Sequence, residues 1–68
     1  MKELNPMEKF TATAHREGTW WVIEIPELGQ ITQARRETDI DATARDLIAL
    51  MRDVDPSEIQ VTVTVRDR

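Results

Sequence analysis

GTWWVIEIPELGQITQARRETDIDATARDLIALM, residues 18–51, holds the change of apolar period on which the fold turns. Up to Ala34 the pattern alternates, and after Arg35-Arg36 it recurs at spacings of three and four. Successive side chains of a strand point to opposite faces. Trp21, Ile23 and Ile25 therefore share one face of a strand over Trp20–Ile25, and Trp20, Val22 and Glu24 share the other. Pro26 has no amide hydrogen and stops the ladder. Glu27-Leu28-Gly29 then leads to a third short strand around Gln30–Ala34. Beyond it, Ile40, Ala44, Leu47, Ile48, Met51 and Val54 form one stripe of a helix. Thr38 or Asp39 suits its N-cap, and Glu37, Asp39 and Asp41 put negative charge at the positive end of its dipole.

Outward from this stretch the chain reads as more strand. Phe10, Ala12 and Ala14 alternate with Thr11, Thr13 and His15, and Glu17-Gly18 supplies a tight-turn signal between two antiparallel strands. Pro56 disfavours the α conformation at Asp55 and predicts the end of the helix there. From Ile59 the alternation returns, with Val61, Val63 and Val65 inward and Gln60, Thr62 and Thr64 outward. The sum is α+β with the order βββαβ, a small antiparallel-type sheet with one helix on one face. Residues 1–8, with Asn5 and Pro6, are expected as a flexible lead-in and residues 9–68 as one domain.

The bulk properties narrow the function. A chain of 68 residues forms one domain at most, and chains of about this size bury only roughly 60% of the surface that they expose unfolded. Without cysteine it has no disulfide staple or thiolate site, which leaves self-association as the substitute. No stretch reaches the roughly 20 apolar residues of a membrane helix, and the start lacks the apolar region of a secretion signal, so a cytoplasmic location is expected. The net charge of −4 argues against unaided binding to nucleic-acid phosphates and is compatible with a basic partner or with simple solubility.

Catalytic signals are sparse. His15 has no companion ligands, Ser57 follows Pro56 in a turn where local capping suits it, and two glycines make no phosphate loop. A divalent-metal nuclease would use several strand-borne carboxylates, and Glu24 is the only one in a predicted strand. A non-enzyme with no cofactor or metal is expected. If Trp21 is the core indole, Trp20 and Val22 lie on the face that the helix does not cover, beside Thr11, Thr13, Thr62 and Thr64. Tryptophan there suits a partner or oligomer interface, although packing across the threonines is the plainer alternative. A one-residue register change would exchange the two indoles. Glu27 and Leu28 are further interface candidates, and Arg35, Arg36, Asp39 and Asp41 are candidate polar contacts. Arg35-Arg36 has the competing reading of a solvated turn.

The words WWVIEIPEL, TQARR and TARDLIALM, in this order, resemble the HicB-type antitoxin family, and TQARR followed by ARDLI resembles its compact actinobacterial members. Pro26-Glu27-Leu28 matches the family's corner after an apolar strand, Thr32-Gln33-Ala34 its next step, and Asp41, Ala44 and Leu47 its helix. The resemblance spans residues 9–65 and implies a βββαβ domain related to a degraded RNase H fold without nuclease function. It implies dimers or larger assemblies that mask a small basic HicA-type ribonuclease toxin. Family members usually carry a C-terminal DNA-binding domain, whereas this sequence ends at Arg68, so direct nucleic-acid binding is not expected. Ala34 stands where the family has glycine, which disfavours a positive φ there. The alternative is a stand-alone homo-oligomeric scaffold or regulatory protein of the same shape with no toxin partner.

Overall fold

A computed structural model describes residues 8–66. Strands β1 (Glu8–Glu17), β2 (Trp20–Ile25) and β3 (Gln30–Ala34) precede helix α1 (Ile40–Arg52), and β4 (Ile59–Arg66) closes the order βββαβ. The α+β class and the single covering helix are as the periodicity predicts. Of the lead-in expected over residues 1–8, Glu8 already belongs to β1, and the rest lies outside the described residues.

The strands lie in the order β3-β2-β1-β4. β1 and β2 are antiparallel with Glu17 opposite Trp20, and Gly18, at φ +63°, takes the left-handed conformation of their two-residue turn. β2 and β3 are also antiparallel, with Trp21 opposite Ala34. β4, however, runs parallel to β1, starting with Ile59 beside Glu8, so the sheet is mixed rather than antiparallel throughout. The cause is the helix. The meander leaves the chain at the end of the sheet where β1 finishes, and α1 carries it back over one face before β4 begins. A parallel neighbour needs such a crossover.

The covered face holds Ala12, Ala14, Ile23, Ile25, Ala34, Ile59 and Val61, all buried, against Ile40, Ala44, Ile48 and Ala49 of the helix. Small side chains on the central strand and on the helix let the two layers approach closely, and four isoleucines, Ile23, Ile25, Ile48 and Ile59, fill the middle. Phe10, Trp21, Leu28, Leu47, Val54 and Val63 pack around that centre, half-buried. Trp21 is thus the inward indole. Val65, on the same face, is exposed at the hairpin end.

Two expectations about the helix change. Met51 is exposed rather than part of the buried stripe, while Ala49 is buried. The helix is rotated about its axis toward Arg45, Ala49 and Arg52, and Arg52 Nε donates to Glu8 Oε1 at 2.8 Å. Its end also precedes Pro56. Asp53 takes φ +61° and donates its N–H to the Leu50 carbonyl, and Val54 N–H donates to the Ala49 carbonyl. This pair of bonds is a Schellman motif, whose usual apolar contact joins the residue after the left-handed one to the residue five positions before it. Here those residues are Val54 and Ala49, which accounts for the burial of Ala49. At the other end Asp39 holds the N-cap position but makes no side-chain capping bond, so the acidic start acts through charge alone. Pro56 instead opens a 3-10 turn over Pro56–Glu58, capped by Asp55, which accepts from Ser57 N–H and Oγ at 3.0 Å each.

Candidate functional site

The face of the sheet turned away from α1 carries the candidate site. β1 contributes Thr11, Thr13 and His15, β2 contributes Trp20, Val22 and Glu24, β3 contributes Ile31 and Gln33, and β4 contributes Thr62 and Thr64. The register sets Val22 between His15 and Gln33, and Glu24 between Thr13 and Ile31. Ile31 then lies diagonal to Val22, within reach of a long side chain. Trp20 is 39% exposed and Ile31 66%, with Val22 half-buried between their rows. An apolar diagonal with one carboxylate, Glu24, therefore crosses β2 and β3.

Each indole has its own arginine. The Arg35 guanidinium lies 5.0 Å from the Trp20 ring centroid on the uncovered face, and Arg16 lies 5.5 Å from that of Trp21 on the covered face. Both contacts fall within cation–π range. Arg35 is thus part of the Trp20 site, and it also lines an open hollow with Thr19, Arg36 and Asp39. Asp41 is not part of it: it binds Arg45 Nη2 at 2.7 Å on the helix, behind the sheet.

The corner Pro26–Leu28 has a structural task of its own. The β1–β2 pairing stops at Thr13 and Glu24, so Thr11 has no partner residue on β2 to accept from its N–H. Glu27 turns back to fill the gap, accepting from Thr11 N–H at 3.3 Å and from Thr11 Oγ at 3.0 Å. Its own backbone N–H, then the Thr11 hydroxyl and amide, hold the Glu27 carboxyl below its ordinary value of 4.5. Leu28 packs half-buried against the core, and Gly29 leaves the corner at φ +62°. Glu27 stays exposed while it holds Thr11, and Leu28 is half-buried.

Ile31 is the site residue that sequence reasoning passed over. Its signal was present, because Thr32 and Ala34 inward require Ile31 and Gln33 outward, but a five-residue strand gives the alternation little length to show itself. His15 Nε2 lies 3.0 Å from Glu17 Oε2 on the same face. Among the described residues no group of three or more His, Asp or Glu side chains is placed to hold a metal ion. None of their helices is long and apolar enough to cross a membrane. Comparison of the chain with protein-family models, with curated proteins and with solved structures finds no match.

Proposed function

We propose that this chain is a non-catalytic protein-binding domain that masks a small basic ribonuclease, in the manner of the HicB-type antitoxins that its motifs resemble. The observation that carries the reading is the open face of the sheet, where Trp20, Val22 and Ile31 lie outward around Glu24. Aromatic side chains in such a setting are favoured anchors of protein interfaces, and a nearby carboxylate suits a cationic partner. The resemblance is supported by where its motifs fall: Pro26-Glu27-Leu28 makes the corner after β2, Thr32-Gln33-Ala34 ends β3, and Asp41, Ala44 and Leu47 lie on the one helix. Masking requires only that the bound domain cover the partner's RNA-contacting surface, so it assigns no bond-making step to this chain. The net charge of −4 assists the rate of encounter with a basic protein more than the final affinity.

Co-expression with the neighbouring reading frame tests the proposal. The expected result is that the neighbour is a small basic protein, toxic alone and harmless when this chain is present. A neighbour of other character, or toxicity that persists, overturns it. The second reading, a homo-oligomeric scaffold with no toxin partner, is favoured by the open edge of β4 and would survive that result.

A further inference from the structure

We propose that β4 pairs antiparallel with β4 of a second copy of this chain, in a register centred on Thr62, to join two four-stranded sheets into one. Among the described residues no strand lies beyond β4, which runs eight residues with a free edge. Sheet edges are normally blunted by shortness, proline, a bulge or an inward-pointing charge. The other edge, β3, is short at five residues and is flanked by Gly29 and Arg35. β4 has none of these devices: its inward row is Ile59, Val61, Val63 and Val65, without a charge or a proline. Val65 is left 41% exposed and Val63 half-buried on the face where apolar cover is wanted.

The strand's own sequence selects its partner and its register. A two-fold antiparallel pairing centred on Thr62 sets Val61 opposite Val63 and Ile59 opposite Val65, so that every inward residue meets an apolar one. On the outer face Thr62 meets itself, Gln60 meets Thr64, and Glu58 at the foot of β4 meets Arg66 at its tip, once at each end. Both charged residues are exposed, and neither has an ion-pair partner among the salt bridges of the described residues. Moving the centre to Val61 would set Val65 against Ser57, and moving it to Val63 would carry Ile59 past Arg66, the last residue of β4. Centres between residues would mix the two faces. A self-complementary patch of this kind is what an isologous dimer requires. The pairing leaves the Trp20 face of both copies open on one side of the joined sheet, so it does not depend on the toxin-masking function.

The chain has no cysteine, so a single introduced thiol can only cross-link two copies. Thr62 and Gln33 are both exposed on the outer face, one on each edge strand. Opposed antiparallel residues have Cβ atoms about 4.5–5.5 Å apart, close to what a disulfide spans. Thr62→Cys is expected to oxidise to a covalent dimer and Gln33→Cys to remain largely monomeric. In sedimentation equilibrium the unmodified chain is expected to be a dimer. Glu58→Arg or Arg66→Glu alone should weaken it about tenfold, and the double reversal should restore it. A monomer at concentrations near ~0.1 mM, cross-linking at Gln33→Cys as rapid as at Thr62→Cys, or a dimer indifferent to the single reversals would each overturn the proposal.

Discussion

Trp20 and Trp21 are neighbours in sequence with opposite duties, and the difference is measurable. Trp21 packs half-buried against the core and Trp20 is exposed beside Arg35. Trp21→Ala should lower unfolding stability by about 2–3 kcal/mol in urea titrations, somewhat less than for a fully buried indole. Trp20→Ala should change it by less than about 1 kcal/mol, yet cost on the order of 2 kcal/mol or more in affinity for a partner measured by calorimetry. Asp53 offers the converse case of a residue that the backbone would exchange. At φ +61° its Cβ sits in the left-handed region, so Asp53→Gly is expected to raise stability by roughly 0.5–1 kcal/mol, read as a higher denaturation midpoint.

Within the elements, the face that α1 buries is decided by what surrounds it. The apolar spacing admits Met51 to the stripe as readily as Ile48, but the Arg52–Glu8 bond and the Val54–Ala49 cap accompany a rotation that leaves Met51 in solvent. Ile48→Ala should therefore cost about 2–5 kcal/mol by thermal or chemical denaturation, and Met51→Ala about 0.5 kcal/mol or less. The corner after β2 has a pH signature. The Glu27 carboxyl is held low by its own amide and by Thr11, and the Asp55 carboxyl by the Ser57 amide and hydroxyl. A group whose folded value is depressed stabilises the fold above its unfolded value and loses that contribution as pH falls through the folded one. Stability from these two groups is thus flat above about pH 5 and declines below the ordinary values of 4.5 and 3.8. Glu27→Gln should flatten part of that decline in denaturant midpoints measured from pH 6 down to pH 3.

For the molecule as a whole, size sets the margins. At roughly 0.05–0.15 kcal/mol per residue, a chain of 68 residues has on the order of 3–10 kcal/mol of stability. One isoleucine lost from the centre can consume most of that. Association would add to that margin, and the two proposals above place it at the Trp20 face and at the β4 edge. Its net charge of −4 adds a kinetic expectation. Association with a basic partner should slow by about tenfold or more between low and physiological-to-high salt in stopped-flow measurements, while the dissociation rate changes little.

Alternation and spacing were enough to place all four strands, the helix and the inward rows Ala12/Ala14, Ile23/Ile25 and Ile59/Val61, because those signals are local and each repeats several times. They were also enough to put Trp20 outward, given Trp21 inward. Tertiary structure alone decided that β4 lies parallel to β1 at an open edge, that Met51 is exposed, and that Glu27 accepts from Thr11. Strand direction depends on where a crossover returns the chain, helix rotation on what packs around its ends, and Glu27 on meeting Thr11, 16 residues away, where the β1–β2 pairing has stopped. None of these is written in the period of a single segment, since each arises only when distant segments meet.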